Sequence, residues 1–215
     1  YGDHRDLHYP LLTSRLVIKR QVHASFFVAH FESDVAISHT QALTDKLNRF
    51  LGKNIAIKDI YAVQPDMHAR FSAISRTYKY YINKNKNPFT YPFAYRPHPL
   101  PDIRLMNNAC ELLLRYEDFT SFSKLHTDVK TNICHLMEAN WEETDEQLVF
   151  TIKADRFLRN MVRAIVGTLL DVGQGRITLE QFQQIIESKD RCKAGTSVPG
   201  NALFLCDIEY PPCKL

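Results

Sequence analysis

The chain has 215 residues, of which 45% are hydrophobic and 24% charged, enough for one large or two small domains with a proper core. Its 27 basic residues barely exceed 24 acidic ones, so a net charge of +3 permits an anionic partner without demanding one. No apolar run approaches 18 residues, which excludes a transmembrane helix; YGDHRDLHYP is no signal peptide, and a cytoplasmic protein is expected. Five scattered cysteines (Cys110, Cys134, Cys192, Cys206 and Cys213) form no CxxC pair, which favours free thiols in a reducing compartment over a zinc site or disulfide framework.

In chain order, residues 1–21 show little pattern beyond a short apolar trio at Leu16–Ile18. From Val22 the text changes: Ala24–Phe31 reads as a buried strand, and Gln41–Leu51 as a helix with Leu43, Leu47 and Phe50 on one side. Ile55–Val63 and Arg76–Asn83 alternate as strands. In the latter, Tyr78, Tyr80 and Ile82 share one face, and Lys79, Tyr81 and Asn83 the other. Lys84–Pro101, with five prolines, reads as a loop. A helix from Asp102 to Tyr116 follows, N-capped by Asp102, with Ile103, Met106, Ala109, Cys110 and Leu113 as its apolar stripe. Two strands at 132–142 and 147–154 flank a polar turn. A helix opened by the capping box Thr178–Gln181 and a last strand over 202–208 complete the chain. This order predicts an α+β fold, an antiparallel sheet with helices on one face.

Three segments could carry chemistry. RFLRNMVRAIVGTL (156–169) reads as one helix, with Arg156, Arg159, Asn160, Arg163 and Gly167 in a narrow polar stripe on an otherwise apolar cylinder. Periodicity leaves open whether that stripe lines a cleft, where each guanidinium needs an anionic partner, or forms a solvated edge. HARFSAISRTYKYYI (68–82) interleaves Arg70, Arg76 and Lys79 with aromatics, the pairing that single-stranded or flipped bases need, and also a pattern of core tyrosines with snorkelling cations. EDFTSFSK (117–124) places Thr120, Ser121 and Ser123 around Phe119 and Phe122, a weak signal alone. With 7 glycines there is no phosphate-binding Gly-rich loop, and the nine histidines lack metal-ligand spacing.

Together with VHASFFVAHF (22–31) and AGTSVPGNALFL (194–205), these segments resemble, in order and spacing, the tRNA pseudouridine synthase A family. The resemblance implies two RRM- or ferredoxin-like halves with antiparallel sheets flanking a central basic cleft, here a remnant over 22–96 and a half over 97–215. It implies a homodimer that isomerises uridine to pseudouridine in the tRNA anticodon stem-loop, with no cofactor and no metal. By position, Tyr78 matches the tyrosine that packs against the target uracil, and Arg163 the basic partner of the catalytic aspartate. Arg70, Arg76 and Arg159 are the expected phosphate contacts.

The sequence departs from the family pattern at one place. The family's nucleophile lies in G-R-T-D-x-G-V-H; Val22-His23 matches its end, but the aspartate position holds Lys19 and the glycine before the valine is Gln21. A lysine is cationic at pH 7 and would meet Arg163 as a like charge. Residues 1–21 therefore read as a non-family segment, a frame-shifted or misassembled remnant, in a chain that begins at Tyr1 rather than Met. The expectation is an incomplete N-terminal half, an open sheet edge, and impaired catalysis. The alternative to an enzyme is a non-catalytic RNA-binding remnant.

Overall fold

The computed structural model describes residues 7–14, 22–124 and 131–212. Strands β1 (Leu7–Ser14), β2 (His23–Ala24) and β3 (Phe27–Ser33) precede helix α1 (Thr40–Phe50), β4 (Ala56–Ile60) and β5 (Ser75–Asn83). Helix α2 (Ile103–Leu113), β6 (Leu136–Glu143), β7 (Gln147–Ala154), α3 (Met161–Gly173), α4 (Leu179–Glu187) and β8 (Leu203–Glu209) follow. This is a mixed α+β architecture with two sheets, ordered β3-β1-β4 and β2-β8-β5-β7-β6. The chain divides into two compact units, residues 1–76 with 205–215 and residues 77–204, so β5 and β8 each begin in one and end in the other.

The first unit departs from expectation at its start. Residues 7–14, read as patternless, form the central strand of the three-stranded sheet, antiparallel to both β3 and β4. β1 therefore takes the central place in this sheet, whose edges are β3 and β4. Pro10 sits inside this strand, opposite His30, and the register against β4 shifts between Leu12 and Thr13. A proline and an irregular register weaken a strand's sequence signature, since proline is rare inside sheets. Ile57 and Ile60 of β4 are buried, with Phe31, Ile37, Leu43, Leu47 and Leu51 packed against them. Phe50, expected on the same side as Leu43 and Leu47, is instead 86% exposed in the last turn of α1.

In the second unit, β7 lies between β5 and β6 and is buried along most of its length. Trp141 of β6 stands opposite Phe150 of β7, their rings 5.0 Å apart. Helix α2 buries Met106, Ala109, Cys110 and Leu113 of the expected stripe, with Ile103 only half-buried, and Asp102 caps it by accepting from the Arg104 N–H. The Thr178–Gln181 capping box closes on α4 as the spacing predicts. Cys110, Cys134, Cys192 and Cys206 are free thiols, and burial pushes the Cys134 thiol up to about 11. Among the described residues no helix is long and apolar enough to cross a membrane.

One device recurs. Asn48 of α1 accepts from the Ile57 N–H at 2.7 Å and donates to the Ile57 carbonyl at 2.8 Å. Asn107 of α2 does the same to Trp141, at 2.7 and 3.0 Å. Both β4 and β6 are edge strands, whose outer backbone groups otherwise depend on solvent. A carboxamide matches both groups of one residue, so each helix docks and blunts an edge in one step. Replacing Asn107 by alanine leaves the backbone of the buried Trp141 without this partner. We expect Asn107→Ala to lower unfolding free energy by about 1–3 kcal/mol in a denaturant titration; an unchanged midpoint would refute that role.

Candidate functional site

The polar stripe read along 156–169 is only partly helical. The Asp155 carboxylate accepts from the Arg156 N–H at 2.7 Å and from the His135 N–H at 2.8 Å, which turns the chain as β7 ends. Met161 donates to the Leu158 carbonyl, and Asn160 takes a left-handed φ of 71°. Asparagine tolerates that conformation, and the helix begins only after it. Arg156 and Arg159 therefore precede α3, and Arg163 is the one stripe arginine within it. Arg159 is exposed, its carbonyl accepting from the Lys124 N–H. The apolar part of the reading holds: of the 13 residues of α3, only Arg163 and Asp171 are not buried.

Arg163 is half-buried, and its Nε donates to the Val198 carbonyl at 2.6 Å. Val198 returns the bond, its N–H donating to the Arg163 carbonyl at 3.2 Å. One residue on, the Pro199 carbonyl accepts from the Tyr80 hydroxyl at 3.0 Å. Tyr80 is fully buried; burial pushes its phenol far above the ordinary range, Tyr95 adds to that, and the Arg163 cation opposes it. Two successive carbonyls are thus held by a cation from α3 and a phenol from β5.

The 194–199 segment lies on α3 at close range. A Cβ on Gly167 would sit 1.9 Å from the Thr196 carbonyl oxygen, so only glycine admits the loop there. The Gly195 N–H donates to Thr168 Oγ1 at 3.0 Å, and that hydroxyl donates to the Ala164 carbonyl. Gly167, read as part of a polar stripe, is therefore a seat for a backbone. Tyr78, two residues before Tyr80, stands edge-on to Phe157, with centroids 5.1 Å apart at 87°.

In the other unit, Arg70 and Arg76 are brought together: the Arg76 guanidinium donates to the Arg70 carbonyl. Arg70 lies over the ring of Phe71, itself 75% exposed, on a turn where His68 Nδ1 accepts from both the Arg70 and Phe71 N–H groups. Lys19 lies outside the described residues. The middle of EDFTSFSK is core: Phe119, Ser121, Phe122 and Ser123 are buried, and the Ser121 hydroxyl donates to the Ile185 carbonyl at 2.6 Å. Sequence reasoning missed Phe157, Tyr80, Val198 and Phe71. Proximity of Phe157 to Arg159 was a usable signal, whereas the pairing of 163 with 198 has no periodicity to betray it.

A family model described as tRNA pseudouridine synthase matches residues 109–211. The tRNA pseudouridine synthase A of Parabacteroides distasonis is 57% identical over 190 residues, covering 88% of this chain and 75% of that protein. The enzyme of the same name from Bacteroides thetaiotaomicron is 57% identical over 193 residues, covering 88% and 71%. That of Bacillus subtilis is 35% identical over 195 residues, covering 88% and 77%.

Because the Thr196 carbonyl fills the space beside Gly167, Gly167→Ala must move the loop or the helix. We expect a loss of about 1–3 kcal/mol of stability, the usual penalty of overpacking, read by thermal or chemical unfolding. A variant as stable as the original would show that the loop does not lie against α3 as described.

Proposed function

The chain belongs to the tRNA pseudouridine synthase A family, isomerases that act on tRNA, and from that premise we propose how its own residues serve that chemistry. The substrate is a uridine of the anticodon stem-loop, and the working form is a cytoplasmic homodimer. Flipping the uridine out of its stack costs a few kcal/mol, and a pocket must return that energy. Tyr78 packs against the displaced uracil, its ring set by edge-on contact with Phe157. Arg70, Arg76 and Arg159 contact phosphates; Arg159 is exposed, and Arg70 and Arg76 are adjacent.

Arg163 is the residue that pairs with a carboxylate nucleophile. The observation that carries this reading is its half-buried guanidinium, held through Nε by the Val198 carbonyl at 2.6 Å. A guanidinium held at Nε has its plane fixed, and a planar fork held in one orientation suits contact with a carboxylate.

The isomerisation breaks the bond from C1′ to N1 of uracil and forms one to C5; C5 releases its proton and N1 takes one up, so the composition is unchanged. In the family the step depends on an aspartate, and Lys19 stands where the motif expects it. An ammonium group cannot supply a carboxylate's lone pairs or its negative charge beside Arg163. The chain as it stands therefore binds tRNA but isomerises it poorly or not at all, and its N-terminal segment is the site of that defect.

The test uses tRNA carrying tritium at uridine C5. The unaltered chain is expected to bind it with steep salt dependence and to release little tritium. Replacing residues 16–21 by the Gly-Arg-Thr-Asp-x-Gly motif is expected to raise release by orders of magnitude. Rapid release from the unaltered chain would refute the defect, and absence of binding at low salt would refute the assignment of tRNA as ligand.

A further inference from the structure

The contacts that hold Arg163 do not end at Val198. The side chain of Asn160, one helical turn before Arg163, donates from Nδ2 to the Ser197 hydroxyl oxygen at 2.6 Å. Arg191 donates from Nη2 to the same oxygen at 2.9 Å. Its other terminal nitrogen, Nη1, reaches the Ala194 and Gly195 carbonyls, both at 3.3 Å. A hydroxyl oxygen has two lone pairs, so Ser197 is saturated as an acceptor by one donor from the start of α3 and one from the residues before the loop. The next residue in the chain is Val198, which holds Arg163.

Asn160, just before α3, and Arg163, Gly167 and Thr168 within it lie along one line. Asn160 meets Ser197, Arg163 meets Val198, and Gly167 and Thr168 meet Thr196 and Gly195. Spacings of three, seven and eight residues lie on one face of a helix. The polar stripe legible in the sequence is thus largely the track on which the 195–198 segment is fastened. Asn160 fits that role twice over, since its left-handed backbone directs α3 and its carboxamide fastens the loop.

We propose that Asn160, Ser197 and Arg191 are positioning residues that set the direction of the Arg163 guanidinium through the Val198 carbonyl. None of the three needs to touch RNA. The link from them to tRNA rests on the role of Arg163 proposed above, but the link from them to Arg163 does not. Freed from Ser197, the Val198 carbonyl samples other orientations, and the Nε–H of Arg163 loses a fixed acceptor. Loss of preorganisation then weakens whatever Arg163 binds.

The experiment follows the Arg163 Nε–H directly. In protein labelled with nitrogen-15, that proton is assigned by its disappearance in Arg163→Lys, and its exchange with solvent is measured. Asn160→Gly keeps a residue that tolerates the left-handed backbone while removing the carboxamide, and Ser197→Ala removes the shared acceptor. Each is expected to speed Nε–H exchange at least tenfold while amide exchange in the middle of α3 changes little. Ser197→Thr, which keeps the hydroxyl, is expected to restore slow exchange.

Unchanged Nε–H exchange in both Asn160→Gly and Ser197→Ala would overturn the proposal. So would acceleration matched by equal acceleration across α3, because that reports global loosening rather than positioning. Binding of unmodified tRNA, measured on the same proteins, separates the two levels. If Arg163→Ala binds tRNA as well as the original chain while the exchange results hold, the positioning stands and the RNA role of Arg163 falls. If Arg163→Ala weakens binding, Asn160→Gly and Ser197→Ala are expected to weaken it in the same direction.

Discussion

The pairing of Arg163 with Val198 is the interaction on which the candidate site depends. It is reciprocal: the Nε–H donates to the Val198 carbonyl, and the Val198 N–H donates to the Arg163 carbonyl. Hydrogen bonds involving a charged group contribute about 1.5–3 kcal/mol each, more than a neutral pair. Without the Val198 carbonyl, a cation on a helix otherwise buried along nearly its whole length would lose a partner that compensates its desolvation. The same short segment also takes the buried Tyr80 hydroxyl one residue later. Helix α3, strand β5 and the 194–199 loop thus have their mutual positions set within two consecutive peptide units.

Glycine makes that arrangement sterically accessible. The Thr196 carbonyl occupies the place of a side chain at 167, and Gly195 would carry a Cβ 2.5 Å from the Asp171 carboxylate. A close approach of backbone to helix brings polar groups into a buried zone, where each needs a partner. Thr168, Arg191, Asn160 and Arg163 supply them. Their side chains differ in kind but share a task, which is to satisfy the backbone or the hydroxyl of one loop.

Most elements after Val22 were legible because local rules agreed with tertiary ones, but the single strand expected over 24–31 is broken at Ser25 and Phe26 into β2 and β3, which join different sheets. The α2 stripe, the β7 bounds and the α4 capping box all follow from periodicity and caps within a dozen residues. Local rules failed where a single residue outweighed a pattern. Residues 156–160 carry helical spacing, yet Asp155 captures the Arg156 N–H and Asn160 turns left-handed, so the helix starts late. β1 escaped notice because Pro10 interrupts its alternation and its register is irregular. At the candidate site, a five-segment resemblance singled out Arg163 and Tyr78, but the contacts made by Val198 and Ser197 were not legible. Their partners lie 35 and 37 residues away, a separation that no helix or strand period reports. Burial of the serines in 117–124 was likewise hidden, because a hydroxyl satisfied by the Ile185 carbonyl looks in sequence like one offered to a ligand.

Amide exchange at Val198 tests the central claim most directly. Its N–H belongs to a residue outside every helix and strand, so its protection depends on the bond to the Arg163 carbonyl. Local stability of that kind is read residue by residue in native-state exchange. If the loop is fastened to α3 through Arg163, Val198 exchanges nearly as slowly as the amides of α3. Exchange at the rate of an exposed loop, with α3 itself protected, would contradict the account.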